Sequence, residues 1–418
     1  MTTSTPAPEG SGVGSGGYGR GARILSIGIA STGVLTFAYF SIASHVLDPH
    51  DYGAISLLWA VLFVVISVIY RPVEQLLSRT IAQRRSAGLV GAHPLRTPAT
   101  IQISFAAAFL GIALALREQI EDALDSRALF WILVVALLAY GASYFARGWF
   151  AGHQWFGLYG GLVFFEAVSR FSFALAVAVG IASGQTAVAL GIAAAPVFSL
   201  AVLPWALGRG EGAEGGRRDD LSLREGGGFA LSVAGIQLAE QTLLNVAVVT
   251  AAVSVDSATA GLVFNALLIT RAPLQLFQSV QTSLLPHLAS GGDVSRAVRV
   301  TIGAIWAFAG SVALTLLLIG PAAMDLLFGK GHHYNAVGLT LIALGMGFHL
   351  TAGTLNQAAL ARHQAGRAAI IWLACAAGFL LWLVLSPIDD QILLTEVGYL
   401  GATAVLAALL TGLYRRYS

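Results

Sequence analysis

The sequence predicts an all-α, polytopic membrane protein with about twelve transmembrane helices, arranged as two six-helix lobes around a central cavity. Hydrophobic residues make up 56% of the 418 residues and charged residues only 11%, against roughly 45–50% and 25% in soluble domains. The apolar residues form long continuous runs, and the longest polar interruption lies near the middle of the chain. This composition excludes a soluble enzyme and a disordered chain, and the single Cys375 excludes a disulfide scaffold.

Each apolar run is long enough for a membrane-spanning helix, which needs about 20 mostly apolar residues. Barrel strands are excluded because they alternate apolar and polar residues in segments of about ten. The predicted helices cover residues 23–46, 53–76, 98–116, 128–147, 158–180, 186–207, 226–252, 258–283, 298–319, 336–360, 367–386 and 396–414.

Two polar stretches divide the chain. Residues 1–22 are rich in Gly, Ser, Thr and Pro, which predicts a disordered cytoplasmic tail. Residues 208–225 are rich in Gly and charged residues, and they form the predicted cytoplasmic linker between the two lobes. The N-terminal six-helix lobe then covers 23–207 and the C-terminal six-helix lobe covers 226–418.

The distribution of basic residues predicts the orientation. With the N-terminus inside, seventeen basic residues fall on the cytoplasmic side, including Arg147 in the loop after the fourth helix, and three fall outside. Such an excess marks the cytoplasmic side of a membrane protein. We therefore expect a multi-pass protein of the bacterial plasma (inner) membrane with both termini in the cytoplasm.

Six charged residues remain inside the predicted helices, where each costs roughly 2.5–3.5 kcal/mol if it is unpaired at a helix centre. They must therefore be paired, solvated in a cavity or close to an interface. They are Arg71, Glu74, Glu166, Arg170, Glu240 and Arg271.

Spacing distinguishes two pairs among these residues. Arg71 and Glu74 lie three residues apart near the cytoplasmic end of the second helix, where they either extend to the lipid headgroups or take part in function. Glu166 and Arg170 lie four residues apart and can pair along one face of the fifth helix. That pair can be structural or functional.

The seventh and eighth helices carry the third pair. Glu240 and Arg271 lie near the middle of their helices, and we expect them to face a shared aqueous cavity or each other. Gln237, Gln241 and Asn245 recur every four residues and line one stripe beside Glu240. Such a stripe is typical of a helix that lines water, although hydrogen bonding between helices is the alternative.

No motif indicates an enzyme. The sequence has no P-loop, no H-E-x-x-H and no nucleophile elbow, so we predict no catalytic residue and no cofactor. We predict no metal site: His332-His333 is expected to be an ordinary polar loop, and the acidic stretch 118–125 a solvated charge run. Nucleic-acid binding is not expected, because no basic patch is interleaved with exposed aromatic residues.

Short motifs resemble a known family of membrane proteins. Leu47-Asp48-Pro49-His50-Asp51-Tyr52-Gly53 is similar to the L-G-P-x-x-Y-G turn of polysaccharide exporters of the Wzx type. Three further stretches resemble that family in the same order along the chain: Arg147 to Phe156, Ala260 to Ala289, and Gly320 to Gly329. The family belongs to the multidrug/oligosaccharidyl-lipid/polysaccharide exporter superfamily, together with the MATE exporters and the lipid II flippases.

The resemblance implies a flippase that moves a polyprenyl-(pyro)phosphate-linked saccharide from the inner to the outer leaflet by alternating access, for cell-surface polysaccharide or cell-wall synthesis. Because an anionic headgroup needs a cationic partner, we expect it to bind Arg271, Arg170 and Arg71. Glu240 and Glu166 are expected to hold these arginines in the empty cavity, or to take up H⁺ or Na⁺. The stripe of Gln237, Gln241 and Asn245 is expected to bind sugar hydroxyls.

The expected partners are the lipid-linked saccharide, membrane lipids and the glycosyltransferases or polymerase of the same pathway. Two other functions stay open. One is a cation-coupled multidrug exporter of the MATE kind, which would have an acid-dominated cavity. The other is a non-transporting membrane scaffold of a cell-wall assembly complex, in which the charges of the cavity would be dispensable.

Overall fold

The computed structural model describes residues 15–86, 95–207, 223–272, 294–329, 333–361 and 364–416. These residues form fourteen α-helices. The helices are α1 (Ser15–Val46), α2 (Pro49–Ser86), α3 (Arg96–Ala115), α4 (Arg117–Leu124), α5 (Arg127–Gly152), α6 (Phe156–Ala178), α7 (Gly184–Ser199), α8 (Leu203–Leu207), α9 (Leu223–Ser254), α10 (Ser257–Ala272), α11 (Val294–Phe328), α12 (Ala336–Ala361), α13 (Ala365–Leu385) and α14 (Gln391–Arg416).

The helices coincide with the predicted runs. Ten described spans are long and apolar enough to cross a membrane, one of which joins α7 and α8 through a 3₁₀ turn, Leu200–Val202. In addition, α1 covers the first predicted run and α10 covers the part of the eighth run that the structure describes. The chain is therefore an all-α, multi-pass membrane protein.

Several boundaries differ from the prediction, and the largest extensions are those of α2, to Ser86 instead of 76, and of α11, to Phe328 instead of 319. α1 begins at Ser15, inside the stretch predicted as a tail, because extending an existing helix is far easier than starting one. α9 begins at Leu223, inside the predicted linker, for the same reason. The predicted loop with the acidic stretch contains α4, where Arg117 and Glu121 pair at 2.6 Å one helical turn apart. Residues 1–14, 208–222 and 273–293 lie outside the described part of the chain.

The helices pack as two groups. In the first group α1 packs against α6, α2 against α5, and α7 against both α5 and α6. In the second group α12 packs against α11 and α14, and α13 packs against α9 and α14. The main described contact between the groups is that of α2 with α9. We call these groups the N lobe and the C lobe.

The lobes close on each other at the end of the bundle that carries the α1–α2 turn, Leu47 and Asp48, which we call the turn end. A Cβ atom added to Gly53 of α2 would overlap the carbonyl group of Ser257 of α10. Gly261 of α10 faces the Tyr52 ring, and the Tyr52 hydroxyl donates a hydrogen bond to Asn265. Only residues without a side chain permit so close a backbone approach. This packing seals the turn end between the lobes.

Candidate functional site

Glu240, Arg271 and His349 form the C-lobe part of the site. Glu240 lies in α9, Arg271 at the end of the described part of α10, and His349 midway along α12. The carboxylate of Glu240 and the guanidinium of Arg271 act electrostatically on each other and on the His349 imidazole. Glu240 and Arg271 are half-buried, whereas His349 is buried. The predicted proximity of the two mid-helix charges is therefore present.

The polar stripe of α9 has two different environments. Gln237 donates a hydrogen bond of 3.1 Å from Nε2 to Glu240, so it belongs to the charged cluster. Asn245 donates from Nδ2 to the side-chain oxygen of Gln241 at 2.9 Å, and both side chains are buried. In this conformation Gln241 and Asn245 bond to each other along α9, whereas Gln237 bonds to Arg71 of the other lobe.

Arg71 links the lobes. It lies in α2 beside Pro72, which removes one backbone donor from the helix at that point. Arg71 Nη1 donates a hydrogen bond of 3.0 Å to Gln237 Oε1 of α9, and Gln237 in turn donates to Glu240. Arg71 is thus not extended to the headgroups but joins the C-lobe cluster to the N lobe.

Glu74 continues the polar line into the N lobe. It lies one turn after Arg71 in α2 and accepts a hydrogen bond of 2.7 Å from the hydroxyl of Tyr159 in α6. The charges of Arg71, Arg147 and Glu166 all act on it. Glu74 therefore connects the Arg71 bridge with the buried charges of α5 and α6.

Glu166 is the centre of the N-lobe part. Its Oε1 accepts from Arg170 Nη2 at 3.2 Å, which confirms the predicted pairing of residues four apart on α6. Its Oε2 accepts from Arg147 of α5. Ser143 Oγ also contacts Oε2, at 3.4 Å. A single carboxylate thus neutralises part of the charge of two buried guanidinium groups.

The prediction that Arg147 lies in a cytoplasmic loop is wrong. The side chain is 9% exposed and lies within α5, which continues through Trp149 and Phe150 to Gly152. Burial is possible because Glu166 supplies a counter-charge and the Tyr144 ring lies 4.3 Å from the guanidinium carbon. Arg147 is therefore a buried charge that the six predicted charges did not include.

Arg170 is held by several neutral groups besides Glu166. Its Nη2 donates to the Tyr140 hydroxyl at 2.7 Å and its Nη1 donates to Thr36 Oγ1 at 3.1 Å. The Trp59 ring lies 4.4 Å from the guanidinium carbon. With 2% exposure, the side chain has no open face in this conformation. The structure brings Arg170 into the network, but not to a surface that a ligand could reach without a rearrangement.

Together these residues form one polar line across both lobes. Along it, the described residues contribute four arginines and three glutamates: Arg71, Arg147, Arg170, Arg271, Glu74, Glu166 and Glu240. Arg71, Glu74, Glu240 and Arg271 are half-buried, so they are more accessible than Arg147, Arg170 and Glu166.

Sequence reasoning missed two members of this line. Arg147 could have been found from the aromatic residues that continue the apolar run beyond it. His349 is one histidine in an apolar run, and a count of formal charges does not include it. Within the described residues no group of three His, Cys, Asp or Glu side chains has an arrangement suited to a metal ion. Glu396 is buried as well, but it packs against Gly338 near the turn end, apart from the polar line.

No family model matches this sequence, and no curated protein matches it at a significant level. Solved structures do match. The inward-facing conformation of a multidrug resistance MATE family transporter of the MOP superfamily is 12% identical over 94% of this chain and 97% of that chain, with a TM-score of 0.69. The eukaryotic MATE transporter AtDTX14 is 14% identical over 96% of each chain, with a TM-score of 0.69.

An outward-facing conformation of a MATE family transporter is 15% identical, over 96% of this chain and 94% of that one, with a lower TM-score of 0.61. At these identities the likeness concerns the fold. The chain has the two-lobed, all-helical fold of MATE transporters.

Proposed function

We propose that the protein is an alternating-access transporter that moves a polyprenyl-(pyro)phosphate-linked saccharide from the inner to the outer leaflet of the bacterial plasma membrane. In this proposal the turn end faces outward, because most loop arginines lie at the opposite end. The fold supports transport, since MATE transporters share it over nearly the whole chain. No enzymatic step is involved.

The observation that carries the proposal is the excess of arginine along the polar line. Among the described residues, four arginines lie along this line with three glutamates. A pyrophosphate cannot enter hydrocarbon without such a partner, and arginine binds phosphate oxygens through paired N–H donors. A cavity that binds organic cations would need an excess of acidic residues over arginines.

The half-buried arginines are the proposed headgroup contacts. Arg271 in the C lobe and Arg71 at the lobe boundary are partly exposed, and both act electrostatically with Glu240. A bound phosphate would displace Glu240 from these arginines. Arg170 and Arg147 are buried against Glu166, and we propose that they position α5 and α6 in this state. H⁺ or Na⁺ coupling through Glu240 or Glu166 remains part of the proposal.

The second candidate is a cation-coupled multidrug exporter. The observation in its favour is the fold likeness to multidrug resistance MATE transporters. Under this reading Glu74, Glu166 and Glu240 would bind the drug or the coupling cation. It predicts that organic cations, and not lipid-linked sugars, are the transported substrates.

Purified full-length protein in liposomes distinguishes the two. We expect it to equilibrate a fluorescent polyprenyl-pyrophosphate saccharide between leaflets. Arg271→Ala should slow this about ten- to a hundredfold, because it removes a charge-assisted contact. Arg299→Ala is the matched control, since Arg299 is exposed on α11 and contacts the carbonyl group of Ser295.

The same flipping rate for Arg271→Ala and wild type would reject Arg271 as a headgroup contact. Proton-driven uptake of an organic dye without any lipid flipping would reject the flippase and establish the second candidate. Arg271→Lys tests whether the paired N–H donors matter as well as the charge. Lysine keeps the charge but loses the paired donors, so an intermediate flipping rate is expected.

A further inference from the structure

His349 and Trp372 are in ring contact in the C lobe, and each carries a buried polar atom that is unpaired among the described residues. The imidazole of α12 and the indole of α13 meet edge to face, with ring centroids 5.5 Å apart. Both side chains are almost fully buried, at 4% and 3% exposure. His349 Nδ1 and Trp372 Nε1 have no hydrogen-bond partner among the described residues. Buried polar atoms are nearly always paired, so these two are candidates for contacts with a ligand that reaches them after a rearrangement, as Arg170 would also require.

The charges around His349 belong to the site described above. Glu240 of α9 and Arg271 of α10 both act on the imidazole, and Tyr399 of α14 acts on these two residues. From α13 the adjacent groups are the neutral indole of Trp372 and, about one turn further on, Cys375. From α11 the contact next to His349 is apolar, with Trp306 packed on Phe348.

Whether the His349 imidazole holds a proton depends on the charges around it. Burial disfavours the imidazolium most, the Glu240 carboxylate favours it, and the Arg271 guanidinium disfavours it. An anion bound to Arg271 would cancel the contribution of Arg271 and would itself favour the imidazolium. Anion binding and protonation of the imidazole would then strengthen each other, because linkage between two binding events is reciprocal.

We propose that His349 is a phosphate-binding residue which, together with Arg271 and the Trp372 indole N–H, forms the C-lobe half of the headgroup site. The inference rests on the proposed function, whose substrate carries the phosphate. The indole supplies a neutral donor. The imidazolium supplies a charged donor and balances an additional negative charge of a pyrophosphate. His349 thereby makes binding of the headgroup stronger at lower pH.

Direct binding tests this without transport. Inorganic pyrophosphate is the probe, titrated into purified full-length protein by calorimetry at pH 6 and pH 8. His349→Gln keeps a hydrogen-bonding side chain but cannot be protonated. It should bind about tenfold more weakly than wild type at pH 6 and nearly equally at pH 8, since one charge-assisted contact is lost. Because each comparison is made at one pH, the titration of pyrophosphate itself cancels.

His333→Gln is the control, since His333 is exposed and contacts Asp325 outside the site. Trp372→Phe is a second variant that keeps the ring contact. It should weaken binding to a similar degree at both pH values, and it also tests the site should His349→Gln fail to fold.

The possible results test the role of His349 separately from the proposed function. Wild-type protein that binds pyrophosphate, with both variants equal to it at both pH values, overturns the role of His349 and leaves the proposed function intact. Wild-type protein that does not bind pyrophosphate, while Arg271 still proves essential for lipid flipping, also overturns the inference. Absence of both binding and flipping rejects the inference and the function together.

Discussion

Arg71 of α2 and Gln237 of α9 are joined across the boundary of the two lobes by a hydrogen bond of 3.0 Å. The same Gln237 donates to Glu240, so its amide group links a basic residue of one lobe to an acidic residue of the other. Lobes that alternate between two arrangements must break such a bond in each cycle.

We expect Arg71→Ala and Gln237→Ala each to lower the rate of lipid flipping. Their effects should be strongly non-additive, by about 0.5–3 kcal/mol, because the two side chains share one contact. A double-mutant cycle on flipping rates in liposomes measures this. Gln75→Ala is the control, since Gln75 is an exposed residue on the same helix as Arg71. Additive effects of the two substitutions would show that the bridge is incidental.

The closed turn end yields a second prediction. Gly53→Ala adds a Cβ where the carbonyl group of Ser257 lies, so α2 and α10 must separate. We expect the turn end to open. The measurement is labelling of Ser56→Cys by a water-soluble maleimide, with Cys375 replaced by Ser, because Ser56 is fully buried behind Tyr52.

The matched control for this experiment is Gly33→Ala. Gly33 lies in α1 with no atom within 4 Å of an added Cβ, so labelling should stay at the background level. Equal labelling in the two alanine variants would contradict the proposed seal.

Glu166 yields a prediction about stability. Its removal by Glu166→Ala leaves Arg147 and Arg170 buried without their shared carboxylate. Breaking a buried ion pair in this way costs about 3–5 kcal/mol. Denaturant unfolding in detergent should show the loss. Glu118→Ala, at an exposed position of α4, should change stability by less than about 0.5 kcal/mol. A Glu166 variant as stable as the Glu118 variant would contradict the assigned role.

Asp256 provides a prediction that depends on pH. It lies between α9 and α10, where its Oδ1 accepts from the backbone N–H of Thr259 at 2.7 Å and caps α10. Hydrogen bonds from Thr259 hold the pKa of Asp256 below its usual value. A carboxyl group whose pKa is lower in the folded state stabilises the fold above its unfolded pKa and stops doing so as the pH falls through the folded pKa.

Asp256→Ala should therefore lower stability by about 1 kcal/mol at pH 7, as the loss of a helix cap does. The difference from wild type should decrease in acid, below a pH of about 3.9. Thermal unfolding at pH 7 and pH 3 measures this, with Asp389→Ala at an exposed position as the control. A constant difference at both pH values would exclude the carboxylate as its cause.

The fold was predictable because hydrophobic length alone defines membrane helices. The predicted runs coincide with the observed helices, and the i, i+4 spacing of Glu166 and Arg170 was enough to predict their ion pair. The six charges predicted inside the helices all fall on the same polar line, while Arg147 and Glu396 are buried in helices as well.

Contacts between segments that are distant in the chain could not be predicted from the sequence. Arg147 at the end of an apolar run looks like a loop residue until α6 brings Glu166 against it. Gln237 and Gln241 look alike in sequence, yet one reaches Arg71 across the lobes and the other bonds to Asn245 on its own helix.

The sequence by itself thus determined which segments lie in the membrane and which charges must find partners there, because hydration and helix length are local properties. Only the tertiary structure decided the partners: which arginines share a carboxylate, which remain accessible between the lobes, and at which end the lobes close. Those features depend on how helices that are far apart in the chain pack together. The cost of burying a charge shows that a partner must exist, but it does not identify that partner.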